Sequence, residues 1–121
     1  METKTIYVSR MPDTKKIKLR DSDGNDPGND DLTTLVSTGD TVIWELDSNS
    51  GLEALIGVKK KKDTTQLLTG DPTGSNGKFT GHVVAVSPGK HKKMKYKIGY
   101  KFADEKDKDE HWDDPKLQII N

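Results

Sequence analysis

The residues best suited to chemistry fall into one acidic loop, three histidines and two lysine runs. Between positions 21 and 31 the chain reads Asp21, Ser22, Asp23, Gly24, Asn25, Asp26, Pro27, Gly28, Asn29, Asp30, Asp31, which sets hard oxygens at close intervals as calcium loops do. Asp21, Asp23, Asn25 and Asp26 are the candidate calcium ligands, and Gly24 and Gly28 would let the backbone curl around an ion. The spacing departs from an EF-hand, which needs glycine at its sixth position and a bidentate glutamate at its twelfth; here these are Asp26 and Leu32. The first reading is therefore a solvated turn. The alternative is a calcium site of another geometry, with a dissociation constant on the order of 0.1 to 1 mM.

His82, His91 and His111 are the only imidazoles, and no two stand at a His-x-x-x-His spacing. A shared zinc site would have to be assembled by the fold. The absence of cysteine removes disulfides, thiolate metal sites and a cysteine nucleophile together. No Gly-x-Ser-x-Gly elbow, P-loop, dinucleotide fingerprint or His-Glu-x-x-His pair is present. The carboxylates cluster in hydrophilic loops, where water opposes the tuning that acid-base catalysis needs. The expectation is that the chain is not an enzyme and carries no cofactor, calcium excepted.

Lys59 to Lys62 form one basic segment, and Lys90, Lys92, Lys93, Lys95, Lys97 and Lys101 a second. If the two share a surface, an acidic partner or nucleic acid becomes conceivable. A formal net charge of zero and the presence of only two arginines, Arg10 and Arg20, disfavour nucleic acid, as does the shortage of aromatics to stack bases. A protein partner or self-association remains. Lys93, Lys95 and Lys97 are the interface candidates, because they alternate with the apolar Met94, Tyr96 and Ile98 and so should face water. Asp104, Glu105, Asp107, Asp109, Glu110, Asp113 and Asp114 follow directly and could neutralise them. Outward lysines also guard sheet edges against aggregation.

The 121 residues suit one domain, 1–121. Leu, Ile, Val and Phe number 25, just above the roughly 20% below which a chain reads as disordered, so the core is small. No run approaches the roughly 18 apolar residues of a membrane span, and the amino terminus lacks a signal's apolar core. A cytoplasmic chain is expected, or a secreted one if a leader has been removed.

The elements that must position these groups are strands, since apolar residues recur at every second position and nowhere hold a helical spacing. Ile6 and Val8 mark a first strand and Ile17 and Leu19 a second, joined at Met11, Pro12 and Asp13. Leu32 to Val36 and Thr41 to Asp47 follow, the latter with Val42, Trp44 and Leu46 on one face. Glu53 to Val58 reads as a strand or a short helical turn, Gln66 to Leu68 as a weaker segment, and Asp71 to Gly77 as a loop. Phe79 to Val86 is expected to turn at Ser87 to Lys90 and return through Met94 to Tyr100 as a hairpin with one basic face. A charged loop, 103–114, leads to a closing strand, Pro115 to Ile120. Eight or nine short strands argue for an antiparallel β-sandwich or barrel, with Greek-key connections expected.

The run Gly39, Asp40, Thr41, Val42, Ile43, Trp44 resembles the Gly-Asp-x-Val-x-Trp strand of the cupredoxins, the blue-copper β-sandwich superfamily. Tyr96, Lys97, Ile98 and then Asp114, Pro115, Lys116, Leu117 resemble its last two strands, and the intervening blocks agree in order over about residues 15 to 121. The resemblance implies an all-β, antiparallel Greek-key sandwich. Gly39 would permit a positive φ at the turn, Asp40 would bond the backbone two residues on, and Trp44 would fill the core. Cupredoxins place one histidine after the tryptophan strand, and a cysteine, a second histidine and a methionine between the last two strands. Here Glu45 to Gly51 holds no histidine, and Phe102 to Asp114 holds only His111. Without a thiolate no blue-copper site forms. The implied function is a metal-free cupredoxin-like binding or structural module acting through protein-protein contacts; the alternative is a weak calcium-binding or carbohydrate-binding β-sandwich.

Overall fold

The computed structural model describes residues 1–12, 14–75, 77–103 and 109–121; Asp13 and Asn76, expected in loops, and Asp104, Glu105 and Asp107, expected to offset the lysines, lie outside the described residues. The chain is all-β. Its strands are β1 (Thr3–Arg10), β2 (Ile17–Asp21), β3 (Thr33–Val36), β4 (Thr41–Leu46), β5 (Leu52–Lys60), β6 (Thr73–Ser75), β7 (Lys78–His82), β8 (Lys93–Phe102), β9 (His111–Asp113) and β10 (Lys116–Ile119). They form two sheets. The first has the order β2-β1-β4-β7-β6; the second runs β3-β10-β8-β5, with β9 also paired to β8.

Alternation explains the longer strands. In β8, Met94, Tyr96, Ile98, Tyr100 and Phe102 are buried while Lys93, Lys95 and Lys97 are exposed, and β2 buries Ile17, Leu19 and Asp21 between exposed Lys18 and Arg20. The inward residues of both sheets share one core. Trp44 on β4 and Tyr96 on β8 bridge it: both are fully buried, their rings meet edge to face at 5.5 Å, and the indole N–H donates to the Tyr96 hydroxyl at 3.1 Å. Gly39 takes φ +81° in the turn before β4. The Asp40 side chain reaches backward rather than forward, accepting from the backbone N–H groups of Ser37 (2.8 Å) and Glu2 (2.9 Å). The turn and the amino terminus are thereby tied together.

Three expectations are corrected. The sheets are mixed rather than antiparallel throughout, because β1 lies parallel to β4 and β10 parallel to β3. After the β1-β2 hairpin the chain visits the second sheet as β3, so β4 returns beside β1 in the same direction. Nor do β7 and β8 form a hairpin: β7 is flanked by β4 and β6, and β8 by β5 on one side and β10 and β9 on the other. Both strands have their edges filled, so the segment joining them crosses between sheets. Thirdly, the expected loops at 71–77 and 103–114 contain β6 and β9. β9 and β10 share one edge of β8 on either side of Asp114 and Pro115, and the Pro115 carbonyl still accepts the Tyr96 N–H at 3.2 Å.

Candidate interaction surface

The pairing of β5 with β8 brings members of the two lysine segments onto one face. Lys59 lies opposite Lys97, Val58 opposite Ile98 and Gly57 opposite Gly99. On the other side of β8, Lys95 lies opposite Lys116 of β10. Since Ile98 and Tyr96 point into the core, Lys93, Lys95, Lys97 and Lys59 point away from it on the outer face of the second sheet. Lys61 continues the pattern past β5, its N–H donating to the Lys95 carbonyl at 3.0 Å.

Trp112 of β9 organises this face, and sequence reasoning missed it. It pairs with Gly99, and its six-membered ring rests over Gly99 and Gly57: a Cβ added to Gly99 would stand 2.7 Å from Trp112 Cη2 and 2.8 Å from Ile56 Cγ1. Two glycines in register across neighbouring strands leave the shallow floor the indole occupies. The Lys59 and Lys97 ammonium groups lie 5.4 and 5.9 Å from the Trp112 ring centroid, within the range of cation-π attraction. The available signal was a lone tryptophan in a hydrophilic run, with glycines at 57 and 99.

Compensation of the lysines is partial. Lys61 pairs with Asp114 at 3.5 Å and Lys116 with Asp31 at 3.8 Å, while Lys60 Nζ donates to the Lys61 carbonyl at 3.1 Å. Among the described residues, Lys59, Lys62, Lys93, Lys95 and Lys97 have no carboxylate partner. Lys59, Lys60, Lys61, Lys62 and Lys97 line an open groove of about 420 Å³. Lys90 and Lys92 lie instead in the loop before β8, where His91 N–H donates to the Ile119 carbonyl, and Lys101 is half-buried opposite Ala54.

The acidic loop is organised around Asp21, which is 3% exposed. Its carboxylate accepts the backbone N–H groups of Asp23 (3.0 Å) and Asn25 (3.1 Å), the Asn25 amide (2.9 Å) and the Thr34 hydroxyl (2.8 Å). Asp23 binds Lys4 Nζ at 2.9 Å, and Asp26 is exposed. Asp21 thus fastens the loop to β3 through protein donors. The histidines are separated in role: His82 is exposed with Nδ1 3.4 Å from the Thr41 hydroxyl, His91 is exposed at φ +68°, and His111 packs against Tyr100 and Phe102. Among the described residues no three His, Asp or Glu side chains gather as a metal site.

Among the described residues, two carboxylates have displaced pKa values. Hydrogen bonds from Arg20 at 2.9 and 3.0 Å hold Asp47 below the usual carboxylate range, and the same guanidinium lies 4.1 Å from the Tyr7 ring centroid. Burial pushes Asp113 upward, although it accepts the Tyr100 hydroxyl at 3.0 Å; burial raises Tyr100 as well.

No family model and no curated protein matches the chain. Among solved structures, it is similar to the inclusion body protein PixA from Burkholderia cenocepacia J2315, with a TM-score of 0.65 and 11% identity over 98% of this chain and 96% of that one. That likeness shows a shared fold. The cysteine protease inhibitor EhICP2 from Entamoeba histolytica matches with a TM-score of 0.41 and 20% identity over 74% of this chain and 86% of the other, too distantly to carry an argument.

Proposed function

We propose that the chain is a cupredoxin-like sandwich without a copper site, and that it serves as a non-catalytic protein-binding module whose outer second sheet meets an acidic surface on a protein partner or on another copy of itself. The Gly39 to Trp44 turn and strand support the family reading, and the missing thiolate supports the absence of copper. The observation that carries the binding role is the register of like charges, Lys59 opposite Lys97 and Lys95 opposite Lys116. Like charges directly opposite one another destabilise a sheet. Protection of an edge explains lysines on β5, but β8 is flanked on both sides and has no edge to protect. An acidic surface would relieve the repulsion at both pairs. PixA is described as an inclusion body protein, and self-association is the form of this reading that agrees with that description.

The test replaces Lys93, Lys95 and Lys97 with Gln. Self-association is followed by sedimentation velocity, and binding of a poly-glutamate peptide by interferometry. Both should weaken with added salt, and the triple variant should associate at least about fivefold more slowly, with a melting temperature no lower than that of the wild type because both opposed pairs are relieved. Association indifferent to salt and to the substitutions would refute the reading.

A further inference from the structure

The groove lined by Lys59 to Lys62 and Lys97 has a composition more specific than general basic charge. We infer that it receives a phosphorylated segment of the protein partner, with one phosphate monoester seated between Lys59 and Lys97; this rests on the protein-binding reading above and names the chemistry of the segment bound.

The geometry supplies the first argument. Lys59 and Lys97 come from neighbouring strands in direct register, and both ammonium groups lie within 6 Å of one indole ring. That ring is seated on Gly57 and Gly99, so two cations from paired positions are both drawn to one fixed indole before any ligand arrives. Such preorganisation favours an anion able to accept from both at once. A carboxylate brings a single charge. A phosphate monoester carries roughly −1.5 to −2 at pH 7 and three acceptor oxygens, enough to answer both ammonium groups and leave an oxygen for a third donor.

The second argument is the lining. All five side chains around the groove are lysines, with no arginine among them and no carboxylate. Arginine's planar fork would match carboxylate and phosphate alike; lysine meets a phosphate as a compact point charge with rotatable donors, so several lysines can share one multiply charged group. Lys61 is the member already drawn to a carboxylate, Asp114. Lys62 is unpaired among the described residues and stands beyond the end of β5, where it can meet further anionic residues of an extended segment. A groove of about 420 Å³ has room for the modified side chain and its neighbours.

Three probes separate the outcomes: a synthetic peptide with two phosphoserines among glutamates, the same peptide with glutamate at those positions, and inorganic tripolyphosphate. Trp44 is fully buried, so a ligand-induced change in tryptophan emission reports Trp112, and Trp112→Phe should abolish the signal. At about 150 mM salt the phosphopeptide should bind about tenfold more tightly than its glutamate counterpart, a difference of about 1.4 kcal/mol. Lys59→Gln or Lys97→Gln should remove that preference, Lys59→Arg should largely keep it, and Lys18→Gln on the first sheet should leave it unchanged. Equal affinity for the two peptides overturns the inference, as does an equal loss in Lys18→Gln. Tripolyphosphate binding without phosphopeptide binding also overturns it, assigning the groove to free polyphosphate. If poly-glutamate association remains salt-dependent while the phosphopeptide preference is absent, this inference alone fails; if both are absent, the protein-binding reading falls with it.

Discussion

The Trp44 indole N–H has the Tyr96 hydroxyl as its partner in a fully buried setting. Tyr96→Phe keeps the ring but leaves that donor unsatisfied, and should cost about 1 to 3 kcal/mol in urea unfolding. Trp44→Ala should cost about 3 to 5 kcal/mol, and the double variant less than the sum because the two share one interaction. Asp21 is filled by protein donors from its own loop and from Thr34. Asp21→Ala is accordingly expected to lose about 1 to 3 kcal/mol without any calcium present. About 10 mM calcium, set against a magnesium control, should leave the melting temperature unmoved; a gain near 1.4 kcal/mol, expected at ten times the dissociation constant, would establish a calcium site instead. Asp47 and Asp113 should respond to acid in opposite directions. The folded pKa of Asp47 is depressed, so its pairing with Arg20 contributes above the unfolded value near pH 4 and is lost as pH falls through the folded one; exposure limits it to about 0 to 1 kcal/mol. Asp113 is raised, so its cost is absent below the unfolded value of about pH 4, grows as pH rises from there and is complete above the folded value. At about pH 7, Asp47→Asn should lower the melting temperature and Asp113→Asn should raise it, both differences fading toward about pH 3. Variant curves running parallel to the wild type at every pH would contradict these assignments.

At the scale of elements, β8 does the most positioning, since its inner residues fill the core and its outer residues build the basic face. Gly99 is the point where the two roles meet. All three close contacts of an added Cβ there are side-chain atoms, two of Trp112 and one of Ile56, and the half-buried indole can swing outward to make room. Gly99→Ala should therefore cost about 1 to 3 kcal/mol and shift Trp112 emission toward that of a solvated indole. An unchanged spectrum and stability would mean that the ring does not rest on this glycine. The outward lysines of β8 were legible because strict alternation with Met94, Tyr96 and Ile98 leaves one register that buries the apolar set. β6 and β9 were not legible, because three residues apiece, Thr73 to Ser75 and His111 to Asp113, hold no apolar alternation. Pairing with β7 and β8 is what makes them strands.

Over the whole molecule, 20 basic and 20 acidic residues cancel, yet Lys59 of β5 and Lys93, Lys95 and Lys97 of β8 are gathered on one face. Net charge near zero removes the general repulsion between copies, while opposed patches attract over about 8 Å at physiological ionic strength. With an isoelectric point near 6.8, solubility at low salt should pass through a minimum close to neutral pH and rise as sodium chloride is added. Turbidity measured across pH and salt checks this. Solubility that falls steadily with salt would point to apolar rather than electrostatic association.

Ile6, Val8, Trp44, Tyr96, Leu117 and Ile119 declare themselves as inward residues of strands because the period of two is a local property, carried by each strand's own residues. That period is enough to make the chain all-β and to turn Lys93, Lys95 and Lys97 outward, while the composition alone, with no cysteine, removes the thiolate that blue copper needs. Which strands are neighbours is a property of the assembled fold: β4 returns parallel to β1, β7 and β8 part into different sheets, and β5 lies against β8. Neighbour choice follows from filling one core between two sheets and completing each backbone edge, and these conditions involve residues far apart in the chain. The face formed by Lys59, Lys97 and Trp112 exists through such pairings alone, since its three members stand on three strands that no local pattern connects.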